Sequence, residues 1–176
     1  MDRKKRPGDV PAPDLPARLR TAQAGRDAER ARADAATALF LAVANLHAAN
    51  GRAEVFAALD EIAQTAFGGA EVAVYVRGGV PARLDPVHLG GPRARAAAGT
   101  FALGVGLPGR AANGRRLLVE PAEPGSCDAA VALGADGAGA LVLHGVGLVG
   151  GELPEELRQR IAIVAYHAAI ALRRAP

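Results

Sequence analysis

Apolar residues recur at helical spacing at both ends of the chain and alternate with polar ones in between. From Ala17 to Asn50 there is no proline and one glycine, Gly25. Ala, Arg, Glu and Asp dominate, and Ala is the best helix former of all. Pro16 suits a first helical turn, where its missing N–H would have no partner anyway. Asn50-Gly51 is a stop signal. The stretch predicts one helix of about 33 residues, near 50 Å at 1.5 Å per residue. Its first half is polar with small Ala contacts, and its second half carries Leu39, Phe40, Val43 and Leu46 at helical spacing. A helix of that length outruns a small domain, so its free half is expected to pair with a partner helix. A second helix is predicted from Arg52 to Phe67, with Val55, Leu59, Ile62 and Ala66 on one face. A last one runs from Pro154 to Arg174. Leu157, Ile161, Val164, Ala168 and Leu172 form one stripe there, and Ile163, Tyr166 and Ile170 a second. A helix apolar on two sides packs on two things. One is the sheet; the other is the first helix or a second subunit.

Glu71 to Arg77 reads as a strand with Val72, Val74 and Val76 on one face. Tyr75 falls on the other face with Glu71, Ala73 and Arg77. Gly78-Gly79 turns the chain into a strand at Arg83 to Leu89. The loop Gly90–Gly99 has room for a helical turn at Arg93–Ala98, and Phe101 to Val105 is a short apolar segment. Arg115 to Glu120 is a strand. Cys127 to Leu133 and Ala140 to Leu148 form a hairpin around Asp136-Gly137. Strands in the middle and helices at the ends predict an α+β fold: a central antiparallel sheet of five or six strands, with the terminal helices on one face.

Composition narrows the function classes. A chain of 176 residues fits one domain, or one domain and a helical arm. It holds 42 Ala and 22 Gly, so its core must come from Leu, Val, Ile and the four Phe. One Cys excludes a disulfide scaffold. No apolar run reaches the roughly 18–20 residues of a membrane span. Met1 to Arg6 is basic, but Pro and Asp follow in place of an apolar signal-peptide core, and a cytoplasmic location is expected. The net charge of +3 sits at the start: residues 1–34 hold nine Lys or Arg against six Asp or Glu, and the remainder holds twelve of each. Residues 1–16, with Arg3, Lys4, Lys5 and Arg6 and four prolines, read as a disordered, solvated tail. Nucleic-acid modules add stacking aromatics or a basic face. Neither is evident, so no nucleic-acid partner is expected.

The most distinctive local feature is Gly104-Val-Gly106-Leu-Pro-Gly109-Arg-Ala-Ala-Asn113-Gly114. It contains the spacing of a dinucleotide fingerprint, which needs a full helix after it and a βαβ unit around it. Pro108 and the stop at Asn113-Gly114 leave neither. The stretch instead resembles the G-x-G-x-x-G-x-[VA]-A-x-x-[GN] segment of the GAF domain family. The strand at Arg115 to Val119, the hairpin at Cys127 to Leu148 and the ending Ala168, Ala169, Ile170, Ala171, Leu172 follow in that family's order. The opening Phe56 to Ala63 and Val72 to Val76 is also similar. The resemblance covers residues 36–174, preceded by a helical arm at 17–35 continuous with the first domain helix. It implies a five- or six-stranded antiparallel sheet with a small-molecule pocket opposite the terminal helices. It also implies a parallel homodimer through those helices, with Leu39, Val43, Leu46, Ile163, Tyr166 and Ile170 as contacts. Gly104, Gly106 and Gly109 would then be structural, turning the chain into a short helix. PAS and roadblock folds compete, but neither explains the glycines.

Candidate chemistry is thin. The Asn-Lys…Phe…Asp-Glu signature of cyclic-nucleotide GAF domains is missing, and both Lys lie in the tail. Cys127 has no partner for the thiol chemistry of a methionine sulfoxide reductase, and no His near it in sequence for bilin attachment. It reads as a packed residue at the start of a strand. His47, His88, His144 and His167 show no metal-ligand spacing. His144 shares a strand face with Ala140, Val142 and Val146 and reads as a hydrogen-bonded histidine. Haem ligation through His88 or His144 is the minor reading. Glu155-Glu156 suits the positive end of the last helix, and Asp60-Glu61 reads as a solvated helix face. The residues expected to line a pocket are Tyr75, Arg83, His88 and Phe101. No metal or catalytic group is expected, and no cofactor is evident from the sequence. The leading reading is a non-catalytic sensory or regulatory module that dimerises and signals through a separate partner. The alternative is a ligand-free interaction scaffold on the same fold.

Overall fold

The proline-free, Ala-rich stretch winds into α1 (Leu15–Ala48), with Pro16 in its first turn. The computed structural model describes residues 15–79 and 82–176. The tail expected at 1–16 therefore lies outside the described residues up to 14, and the helix already begins at Leu15. The elements after α1 are α2 (Arg52–Ala66), β1 (Glu71–Gly78), β2 (Arg83–Leu89), α3 (Pro92–Ala96), β3 (Phe101–Ala102) and α4 (Gly106–Gly114). Then follow β4 (Leu118–Pro121), β5 (Ser126–Leu133), β6 (Gly139–Gly147) and α5 (Glu155–Arg174). No described helix is long and apolar enough to cross a membrane.

Contacts divide the chain into two compact units, Met1–Thr37 and Ala38–Pro176. In the first, Thr37 Oγ1 donates to the Ala33 carbonyl at 2.9 Å within α1. The second holds the sheet. Among the described residues it has six strands in the order β3-β2-β1-β6-β5-β4, every pair antiparallel. Alternation sorts the side chains to two faces. Val72, Val74, Leu141 and Leu143 meet Leu46, Val55, Leu59, Ile62, Ile161 and Val164 in one core, under the end of α1, α2 and α5. Ala73, Tyr75, Leu84, Ala140 and Val142 meet Ala94 of α3 and Leu107, Ala111 and Ala112 of α4 in the other. The terminal helices thus share one face, and the two short helices cover the opposite one.

Two boundaries move for local reasons. The segment expected at Phe101–Val105 pairs over only two residues, because Gly104 (φ +82) turns the chain toward α4. The strand expected from Arg115 starts at Leu118, because Arg115 adopts a left-handed conformation (φ 50) to cap α4. The dimer stripe also needs correction. Leu39 and Leu46 are buried in the core of the chain itself, and Val43 is half-buried against it. Leu39, Val43 and Leu46 thus pack into the chain's own core. The exposed apolar side chains on these helices are Phe40, Leu41, Ile163 and Tyr166, and Ile170 is half-buried.

Where α1 meets α5, His47 Nε2 and His167 Nδ1 lie 2.8 Å apart, with the rings edge-to-face. One ring donates its N–H and the other accepts with a lone pair. Burial, then the neighbouring His47, holds the His167 pKa below its ordinary value. The unfolded chain therefore takes up this proton near pH ~6.5, and the folded chain only below that. Stability should be intact above pH ~6.5 and fall as the pH drops through the lowered His167 value. Urea midpoints measured across this range check it, and His167→Gln should flatten the dependence. An equal slope in the variant would assign the effect elsewhere.

Candidate functional site

The site begins with a mismatch between β5 and β6. Cys127 pairs with Val146 and Ala129 with Leu143, so His144 and Gly145 together face the single residue Asp128. Two residues opposite one is a β-bulge, and Gly145 supplies the positive φ (+77) that it needs. The Asp128 carboxylate holds the bulge from both ends. Oδ1 accepts the Gly145 N–H at 3.1 Å, and Oδ2 lies 2.9 Å from His144 Nδ1. The ring of His144 is buried. Nδ1–H given to Asp128 leaves Nε2 as the second ring nitrogen. Among the described residues, Nε2 is the buried side-chain polar atom without a hydrogen-bond partner.

Glu71 sits directly across from His144 in the β1–β6 register. Its Oε2 accepts the Arg93 N–H at 2.6 Å and the Ala94 N–H at 3.1 Å, fastening the first turn of α3 to the start of β1. This carboxylate serves a helix end that has no side-chain cap of its own. Arg93 then reaches Glu123 at 2.8 Å. Arg93, Glu123, Asp128, His144 and Gly145 line an open cleft of about 400 Å³ on the sheet face opposite α2 and α5. The arrangement offers a carboxylate-oriented imidazole beside a guanidinium paired with Glu123. It suits hydrogen bonding to a small polar molecule.

The four residues expected to line a pocket are not brought together. Tyr75 and Phe101 meet edge-to-face, with centroids 5.6 Å apart, on the α4 side of the sheet. Tyr75 is buried, and burial pushes its hydroxyl pKa up. Its ring fills the middle of the face, so the open space shifts to the end by α3. Arg83 is exposed and pairs with Asp85 at 3.1 Å. His88 turns to the helix side, stacked on Phe56 at 4.7 Å with Nε2 2.9 Å from Asp60 Oδ1. The cause is a register shift between Val74 and Tyr75: Val74 pairs with His88 but Tyr75 with Pro86, so Val87 is the extra residue. Asp60, expected as a solvated residue, is half-buried as the partner of His88.

The glycine segment is a turn and a close approach. Gly104 and Gly106 have positive φ, and the Gly104 N–H donates to the Gly109 carbonyl at 2.9 Å. A Cβ on Gly109 would collide with the Ala102 carbonyl oxygen. Cys127 is buried. Burial and then Asp128 push its thiol pKa up, opposed in part by Arg158.

No family model matches the chain, and no curated protein matches it in sequence. Solved structures do. One is the GAF domain of an Acinetobacter phosphoenolpyruvate-protein phosphotransferase: TM-score 0.63 and 10% identity, over 79% of this chain and 92% of that one. Another is the free methionine-R-sulfoxide reductase of Neisseria meningitidis in complex with its substrate. There the TM-score is 0.60 and the identity 17%, over 78% of this chain and 87% of that one. At such identities the likeness speaks for architecture. The six-stranded antiparallel sheet, with the terminal helices on one face and α3 and α4 on the other, is a GAF-like fold.

Proposed function

We propose that the chain is a non-catalytic sensory or regulatory module that takes a small polar ligand in the cleft at His144. The carrying observation is the buried, unpartnered Nε2 of a ring oriented by Asp128. An unsatisfied buried acceptor costs roughly 1–3 kcal/mol, which a ligand donor would recover. Dimerisation through the terminal helices belongs to the same reading, supported by the exposed Phe40, Leu41, Ile163 and Tyr166. Output then passes to a separate signalling protein. The buried thiol with its raised pKa is a poor nucleophile, which supports a role without catalysis.

A thermal-shift panel of cyclic nucleotides, haem, methionine sulfoxide and small anions tests the ligand. At least one should raise the melting temperature saturably, by about 2.7 kcal/mol of stabilisation at a hundredfold excess over Kd. His144→Leu should abolish that shift. A shift unchanged in the variant would place the ligand away from His144, and a panel with no effect would favour the second reading. That reading is a ligand-free interaction scaffold, supported by the filled middle of the sheet face around Tyr75 and Phe101.

A further inference from the structure

We propose a second binding site, on the helix side of the sheet, for a short hydrocarbon chain ending in a carboxylate. A cavity of about 210 Å³ lies between α2, α5 and the ends of β1, β2, β5 and β6. It is at the opposite face and the opposite end of the sheet from His144. Phe56, Val87, Leu133 and Leu172 give it apolar walls, and Arg52 and Arg173 also line it. Val87 is the extra residue of the β2 bulge and remains 41% exposed. The walls call for a hydrocarbon, since apolar surface left open to water is recovered on burial.

The charge complementarity selects the head group. Neither Arg52 nor Arg173 has a carboxylate partner among the described residues. The Arg173 guanidinium and the Asp136 carboxylate both lie over Gly134. Asp136 is turned to the backbone, with Oδ1 accepting the Ala138 N–H at 3.3 Å. Two guanidinium groups on the lining of an apolar cavity favour a carboxylate, which they bind through charge-assisted, forked hydrogen bonds. A neutral or cationic head on the same tail gains nothing from them.

The test is an NMR titration of the full chain with octanoate, octanol and octylamine. Octanoate should bind saturably, with shifts centred on Phe56, Val87 and Leu172, and about tenfold more tightly than octanol. Arg173→Gln should remove most of that preference. Val87→Phe, at a half-exposed position, should fill the cavity and abolish binding while melting remains cooperative. Three results would overturn the proposal. The first is no saturable octanoate binding up to about 10 mM. The second is binding that ignores the site, shown by equal affinity for all three compounds or by octanoate binding kept in Val87→Phe. The third is a dimer that Val87→Phe converts to a monomer, since the cavity would then be a subunit contact.

Discussion

Replacing Gly109 by alanine should cost several kcal/mol of stability, although it adds one methyl group in a short helix. The new Cβ would collide with the Ala102 carbonyl oxygen. That oxygen is backbone, held by the Val105 N–H at 3.0 Å, so it cannot swing away as a side chain would. Relief requires moving α4 off β3 and disturbing the second core, where Ala111 and Ala112 are buried. Overpacking of this kind costs about 1–3 kcal/mol where side chains yield, and more where backbone must. Gly147→Ala is the control, since nothing lies within 4 Å of its added Cβ, and surface changes stay within about 0.5 kcal/mol. Urea denaturation of both variants decides it. A Gly109→Ala protein as stable as Gly147→Ala would mean that α4 does not sit against β3 as described.

Tyr75→Ala should be the most damaging side-chain truncation in the second core. Tyr75 is among the largest fully buried side chains, and it packs between Phe101 and the small residues Ala73, Ala111 and Ala140. Alanines cannot collapse into the space a phenol ring leaves, so the cavity term persists. A loss of about 3–5 kcal/mol is expected, by analogy with other large aromatic truncations. A domain of this size has only about 5–15 kcal/mol in total. The midpoint of urea unfolding should therefore fall by about a fifth or more. A loss below about 1 kcal/mol would show a ring that is not packed. The middle of the sheet face would then be open to ligands, and Tyr75 and Phe101 would become lining residues after all.

The architecture was legible where local patterns decide it. Strict alternation in Glu71–Arg77 places Val72 and Val74 under the helices and Tyr75 opposite, as the two cores show. Pro16, Asn50-Gly51 and the glycines from Gly104 to Gly114 mark turns and helix ends by their backbone chemistry. The site was less legible because two bulges break the alternation. Counting by twos puts His88 with Leu84 and Val146 with His144. Instead His88 lies against Phe56, and Val146 joins the helix-side core past the bulge at Gly145. Asp128 carried no local signal. It is sixteen residues from His144 and meets it only through the pairing of β5 with β6. Gly145 was the one available hint, a glycine interrupting an apolar strand. The apolar stripe Leu39, Val43, Leu46 is equally compatible with a partner helix and with the chain's own sheet. Spacing fixes the face, and not what covers it.

The ring nitrogens of His144 report whether the cleft takes a ligand. In ¹⁵N-labelled protein, Nδ1 should report the hydrogen bond to Asp128 and Nε2 should read as the ring nitrogen without a partner. Adding the compound that stabilises the protein in the thermal panel should move the His144 Nε2 resonance in the direction of an accepted hydrogen bond. His47, His88 and His167, each already bonded through a ring nitrogen, should move far less. A stabilising compound that leaves His144 Nε2 unmoved while shifting resonances elsewhere would contradict the assignment of the cleft as the ligand site.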